Sequence, residues 1–334
     1  MSKKAGLWAC LGMLTIGLAA YLVLRANAPP PPALSKVVIA LPTQLNSAPL
    51  IVAFAQGLFE KAGIETVNQP FLLGKDALKS VLDGKADLAV VADTPFMLSV
   101  LHGNDIAILA GVSQARRSLA VVAHGDRGIT RMEDLVGKSV GLTLGTNLPY
   151  FLDSMLHARR IPSHAVERVD LATNEVIEAF RRGQVDAAVV FQPYLAGLEL
   201  EMGARMKVFH GEEVYAFRFL LVGRPAYIDS HVREVRRVLA VLSEATAFIR
   251  ANPLAARAAV GAVVKVEDAI MERLFDPDDY VIALDQAMLL ALDDQTRWAM
   301  FSGLAKTGPL PNYLNLMKYQ HLEAVMPRRV RIAR

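Results

Sequence analysis

The chain writes one pattern twice. Gly84-Lys-Ala-Asp87-Leu-Ala-Val-Val91-Ala-Asp93-Thr94-Pro95 returns as Gly183-Gln-Val-Asp186-Ala-Ala-Val-Val190-Phe191-Gln192-Pro193. An earlier pair travels with it. Lys36-Val-Val-Ile-Ala-Leu41, leading to Asn46-Ser47-Ala-Pro49, is matched by Lys138-Ser-Val-Gly-Leu142, leading to Thr146-Asn147-Leu-Pro149. From Lys36 to Lys138 the shift is 102 residues, from Asn46 to Asn147 it is 101, from Gly84 to Gly183 it is 99, and from Pro95 to Pro193 it is 98. Landmarks at a nearly constant shift require two similarly built lobes.

Within each copy, a short Ala/Val run bounded by Gly-x-x-Asp before and a polar residue plus proline after reads as a buried strand feeding a helix. Asp93 or Thr94 is the expected N-cap and Pro95 the first helical residue, where its missing N–H is harmless. Taken singly, each is an ordinary helix start. Taken together, they set unpaired N–H groups and positive dipole ends along the carboxyl edge of a sheet. Two lobes doing so toward each other make a cleft for a small, anionic ligand.

The remaining pattern is regular. Strands are expected at 37–41, 64–67, 87–91, 106–110 and 118–123, with helices at 75–82 and 95–101 between them, giving mostly parallel α/β sheets. The turn cluster His124-Gly125-Asp126-Arg127-Gly128 is expected to end the first part of lobe one (36–124). Lobe two then spans 125–216, and the apolar run Phe217–Val222 carries the chain back, so that 217–334 completes lobe one. Helical periodicity covers 233–250, 253–264, 286–304 and 312–325.

Residues 1–28 read as a signal peptide or membrane anchor. Lys3 and Lys4 precede an uncharged apolar run from Ala5 to Leu24, closed by Arg25. Ala26-Asn27-Ala28 offers a cleavage site, Pro29 opposes it, and both cleavage and retention stay open. The Pro-rich stretch 29–35 is a stiff spacer. The fold is thus expected outside the cytoplasm, in the periplasm, tethered to the inner membrane if the apolar run is retained. Cys10 is the only cysteine, so residues 35–334 can form neither a disulfide nor a thiolate metal site. Removing the leader's three basic residues leaves 33 Lys+Arg against 33 Asp+Glu, so the basic pI is no sign of nucleic acid.

Leu45-Asn46-Ser47-Ala-Pro49, Gln56-Gly-Leu-Phe-Glu-Lys-Ala-Gly63, Asp83-Gly-Lys-Ala-Asp87, Asp93-Thr94-Pro95, Asp134-Leu-Val-Gly-Lys138, Gly145-Thr146-Asn147 and Gly183-Gln-Val-Asp186 together resemble substrate-binding proteins of ABC importers, of the nitrate/sulfonate/taurine type. The resemblance covers about residues 36–325. It implies a type II periplasmic-binding fold, with two α/β lobes, a two-strand hinge and a small-molecule ligand held between them. It also implies a membrane permease with its ATPase as partner, a monomer and no cofactor. Gln44, Asn46, Ser47, Asp93, Thr94, Gly145, Thr146 and Asn147 become ligand contacts by that resemblance, with Phe191 and Gln192 in the fourth loop. Asp93 is the odd member, since a carboxylate repels an anion; it either caps its helix or meets a ligand ammonium.

The fourth loop departs from the family. Where members carry Trp-Glu-Pro, this chain has Phe191-Gln192-Pro193, which removes a carboxylate and an indole N–H. Arg218, on the returning run, is either a counter-ion for the ligand or one half of a surface salt bridge. Two other function classes stay in view. One is a membrane-anchored sensor ectodomain; the other is an enzyme on the same fold, related to pyrimidine and thiamine-precursor synthesis. No Gly-x-Ser-x-Gly, His-Glu-x-x-His, P-loop or Gly-x-Gly-x-x-Gly motif supports the enzyme.

Overall fold

A computed structural model describes residues 35–333. The segment expected as signal peptide or anchor (1–28) and the spacer up to residue 34 lie outside the described residues. Ser35 already belongs to the first strand.

The chain runs β1 (Ser35–Pro42), α1 (Ala48–Ala55), β2 (Ile64–Phe71), α2 (Gly74–Leu82), β3 (Leu88–Ala92), α3 (Asp93–Leu101), β4 (Ala107–Ala115) and β5 (Leu119–His124). It continues through β6 (Ser139–Leu142), α4 (Leu148–Ala158), β7 (Glu167–Asp170), α5 (Thr173–Arg181), β8 (Ala187–Phe191), α6 (Tyr194–Met202) and β9 (Met206–His210). β10 (Phe217–Gly223), α7 (Val232–Ala251), α8 (Pro253–Val264) and α9 (Gln286–Phe301) follow. Two five-stranded sheets result, ordered β2-β1-β3-β10-β4 and β7-β6-β8-β5-β9. The orders correspond place for place, so the repeat in the sequence is a repeat in topology. This is an α/β two-domain fold of the periplasmic-binding-protein kind.

The fourth strand of each sheet comes from across the molecule. β5 follows β4 directly yet pairs antiparallel with β8 and β9, while β10 follows β9 and pairs antiparallel with β3 and β4. The sheets are therefore mixed, because the strand that crosses between lobes arrives reversed, while β1 and β3, and β6, β7 and β8, pair parallel. The expected break at 124/125 also falls too late: the chain changes sheet at 116–118, and β5 is already in the second sheet. It returns at 211–216, and the strand expected over 217–222 forms as β10.

Both faces of the central strands are covered, which is why they read as continuous apolar runs. Along β5, Leu119, Val121 and Ala123 join the large core cluster, and Ala120 and Val122 join a second one with Val176, Phe180 and Val190. The flanking helices α2 and α5 are amphipathic. They bury Ala77, Leu78 and Val81 in one lobe and Val176, Ile177 and Phe180 in the other, one stripe of a 3.6-residue period.

The repeated Gly-x-x-Asp has a physical reason. Gly84 (φ 74°) and Gly183 (φ 66°) end their helices in the left-handed region, and a Cβ on Gly183 would lie 2.2 Å from Arg127 Nη2. The aspartate three residues on then pins the neighbouring strand. Asp87 Oδ2 accepts from Val38 N at 2.7 Å, and Asp186 Oδ2 accepts from Ser139 N at 3.1 Å.

Two local expectations change. α3 begins at Asp93, with Ala92 as an N-cap that makes no side-chain bond, so Pro95 is the third helical residue rather than the first. The helix expected over 312–325 is broken into Tyr313–Leu316 and Tyr319–Val325, because Met317 bridges to Ile108 and Lys318 N donates to Ile108 O at 2.9 Å.

Candidate functional site

Each sheet delivers its helix starts to the boundary between the lobes. From the first sheet come Gln44, Gly74, Ala92 and Pro95, and from the second Thr146, Asn147, Leu148 and Phe191; with Phe217 and Phe219 of β10 they line one small cavity of about 30 Å³. That is room for about two water molecules. Beside it lies a cavity of about 660 Å³, lined by Asn46 and Gln192 together with both crossing segments. Gln44 faces the first cavity and Asn46 the second; Phe191 faces the first and Gln192 the second.

Six of the ten expected contact residues thus border this pair of cavities: Gln44, Asn46, Thr146, Asn147, Phe191 and Gln192. Gln44 Nε2 donates to Leu72 O at 2.8 Å, and Gln192 Oε1 accepts from Ala196 N at 3.2 Å. Thr146 Oγ1 donates to Thr143 O at 2.7 Å and accepts from Leu148 N at 3.2 Å, so it serves as a cap as well as a wall. Ser47 is fully buried behind the first helix start, and its Oγ has no hydrogen-bond partner. Asn147 Nδ2 is in the same condition. Unpaired buried donors are uncommon and call for a reason. Gly145 is exposed on the rim (φ 71°), near Lys75.

Asp93 and Thr94 are placed differently. Both are fully buried and committed inside lobe one. Asp93 Oδ1 accepts from the Tyr215 hydroxyl and from Thr94 N, and Asp93 Oδ2 accepts from Gln295 Nε2 at 2.9 Å. Thr94 Oγ1 donates to Gln295 Oε1 at 2.8 Å. Burial raises the Asp93 carboxyl above the usual carboxylate range, against the pull of the Tyr215 bond, the Arg218 charge and the Gln295 bond. Burial beside Asp93 likewise lifts the Tyr215 phenol well above its ordinary value. Arg218 is buried, not a surface group; Nη1 donates to Ala216 O at 3.2 Å, and no carboxylate among the described residues lies within 4.0 Å of the guanidinium.

Several lobe-crossing contacts have no local signature in the sequence. Lys75 lines the small cavity and is its one ionisable wall residue; Nζ donates to Leu144 O at 3.1 Å. On the far side of the lobe boundary, Tyr150 Oη donates to Asp294 Oδ2 at 2.6 Å and Trp298 Nε1 donates to Asp153 Oδ2 at 2.8 Å. Tyr150 follows Pro149 in the third helix start, a cue that a side chain there faces the cleft. Nothing near Gln295 marks it, since its partners lie about two hundred residues earlier.

The model of the family described as NMT1/THI5 like matches residues 44–256. A putative aliphatic sulfonates-binding protein of Bacillus subtilis (strain 168) is 26% identical over 211 residues, 61% of this chain; the match spans 63% of that protein's length. Among solved structures, the periplasmic aliphatic sulphonate binding protein SsuA of Escherichia coli superposes with a TM-score of 0.75 at 17% identity, covering 84% of this chain and 91% of that one. The desulfurization enzyme DSZB superposes with a TM-score of 0.67 at 15% identity, covering 88% and 99%.

Proposed function

Since the chain belongs to the NMT1/THI5-like family, we propose that it is an extracytoplasmic solute-binding protein that captures a small oxyanion between its lobes and hands it to an ABC-type importer. The observation that carries this reading is the convergence of helix starts from both sheets on one boundary, with Asn147 Nδ2 buried and unpaired there. Amides, hydroxyls and helix N-termini are the groups that hold a sulfonate or carboxylate by directed hydrogen bonds. Asn46, Thr146, Asn147 and Gln192 would supply them here, with Gln44, Gly145 and Phe191 shaping the wall. Asp93 and Thr94 would act from behind, fixing the geometry of lobe one.

The 30 Å³ cavity is too small for such a solute, so an occupant that reaches Thr146 and Asn147 as well as Asn46 and Gln192 requires the lobes to part about the two crossing segments and close again on it. The closed pair of lobes is then the surface that a permease and its ATPase would recognise, and the protein would act as a monomer in the periplasm. Retention of the N-terminal run would tether it to the inner membrane. No bond-breaking step is assigned. An enzyme shares the fold, and a fold alone does not decide between binding and catalysis.

A thermal-shift series against taurine, ethanesulfonate, pentanesulfonate and nitrate tests the reading, with mass spectrometry of the recovered solute. A solute at about 100 times its Kd stabilises by about 2.7 kcal/mol. Asn46→Ala is expected to weaken the shift, and the solute is expected back unchanged. A converted solute would place the chain with the enzymes, and an unchanged shift in Asn46→Ala would move the site elsewhere.

A further inference from the structure

Beyond the interlobe cavities, a groove of about 1000 Å³ runs between α4 of the second lobe and α9, the helix that holds Asp93 and Thr94 through Gln295. It shares no lining residue with either interlobe cavity. We infer that this groove is a second ligand site, one that takes an aromatic monoanion.

Its walls set that chemistry. Tyr150 and Trp298 meet edge to face, with ring centroids 5.3 Å apart, and Phe301 stands 92% exposed at the end of the same wall. Large aromatic surface left in water on the lip of a concavity of this size is unusual unless something covers it.

The charges then decide the sign of the ligand. Asp153 is occupied by Trp298 Nε1 and the Arg168 guanidinium, and Asp294 accepts from Tyr150. Arg297 is exposed, lines the groove and has no carboxylate within 4.0 Å among the described residues. His157 stands on the opposite wall. The groove therefore sets two carboxylates against two guanidiniums, with Asp153 paired to Arg168, Asp294 held by Tyr150, Arg297 the guanidinium without a carboxylate within 4.0 Å among the described residues, and aromatic rings on the flank. A flat ring lies against Trp298 and Phe301 while its carboxylate or sulfonate accepts from Arg297. Because α4 and α9 meet here through Tyr150–Asp294 and Trp298–Asp153, the occupant touches both lobes and holds them closed. This site does not rest on the identity of the cleft solute.

Titration of the full-length chain with 2-naphthoate, followed by calorimetry and by tryptophan fluorescence, tests the inference. We expect saturable one-site binding that quenches Trp298, with the signal lost in Trp298→Phe; Trp8, the other tryptophan, supplies the blank. Arg297→Gln is expected to lower affinity about tenfold, the loss of one charge-assisted hydrogen bond. Neutral 2-naphthamide should bind the wild-type protein as weakly as 2-naphthoate binds Arg297→Gln. Asn147→Ala should leave 2-naphthoate affinity unchanged, which separates this groove from the cleft. Arg297 is exposed, so the substitution leaves folding intact, checked by circular dichroism. Absence of saturable binding, equal affinity for the amide, or an Arg297→Gln variant that binds as well as wild type would overturn the assignment.

Discussion

The two lobes agree in one pair of matched positions and disagree in another. The aspartates of the Gly-x-x-Asp turns, Asp87 and Asp186, do the same thing, each accepting the amide of the strand beside it. The helix starts that follow do not. In the first lobe Asp93 and Thr94 are locked to Gln295 of α9 and to Tyr215, whereas in the second lobe Gln192 uses only its Oε1, on Ala196 N. The difference is an added helix: α9 packs on α3, and among the described residues no helix packs on α6 to a comparable extent. A repeated fold therefore yields one rigid jaw and one with polar groups to spare, and the spare groups face the cleft.

The largest expected effect tests the rigid jaw. Asp93→Ala leaves the Tyr215 hydroxyl and Gln295 Nε2 without their acceptor, in a site with no access to water, and should cost about 3–5 kcal/mol in denaturant unfolding. Its pH dependence has a definite sign. Burial raises the Asp93 pKa in the folded protein, so its contribution is fully present below the unfolded value of about 3.9 and is lost as pH rises through the raised folded value. Wild-type stability should therefore carry a downward component on raising the pH that Asp93→Ala lacks. A variant with the wild-type slope would mean that Asp93 ionises freely and the jaw is less closed than drawn.

The matched aspartates should give smaller effects. Asp87→Ala removes one amide-to-carboxylate bond and should cost about 1.5–3 kcal/mol; Asp186→Ala should cost at least as much, since Asp186 also accepts from Ser139 Oγ and Arg127 Nη1. For Asp186 the pH trend runs opposite to that of Asp93. Burial raises its pKa, but the Ser139 amide and hydroxyl and the Arg127 guanidinium lower it further, to a net depression. Its contribution is thus present above about pH 3.9 and lost as pH falls through the depressed value. An Asp186→Ala variant less costly than Asp87→Ala would break the structural repeat at its most repeated point.

The same contrast explains what could be read from the sequence. The repeat, the strand–helix alternation and the returning strand at 217–222 were legible, because buried strands and amphipathic helices announce themselves in apolar periodicity. The sheet to which β5 belongs was not, because Leu-Ala-Val-Val-Ala-His carries no mark of its neighbour; an all-apolar run fits either sheet. The second-lobe residues Thr146, Asn147 and Gln192 were expected on the cleft from the family resemblance of their helix-opening loops. Asp93 and Thr94 were expected there on the same ground and are nevertheless engaged inside the first lobe. Their partner Gln295 lies in a helix whose own pattern shows only which face is buried. Arg218 reads as an ordinary charge in a strand until the sheet around it buries it.

The subtlest prediction concerns the groups that have nothing to bond. Ser47 Oγ and Asn147 Nδ2 carry a desolvation cost in the protein alone, so Ser47→Ala and Asn147→Ala should leave its unfolding free energy within about 0.5 kcal/mol of wild type. If they hold the solute, the same variants should lose about 1–3 kcal/mol of the stabilisation that the best solute of the thermal-shift series provides. A purely structural polar group behaves the other way, costing stability without affecting binding, as Asp87→Ala should; Thr146, cap and wall at once, should show both losses. Unfolding curves recorded with and without solute separate the two cases in one experiment. Should Ser47→Ala and Asn147→Ala destabilise the free protein and leave the solute shift untouched, these unpaired donors, one from each lobe, would belong to the core and not to the cleft.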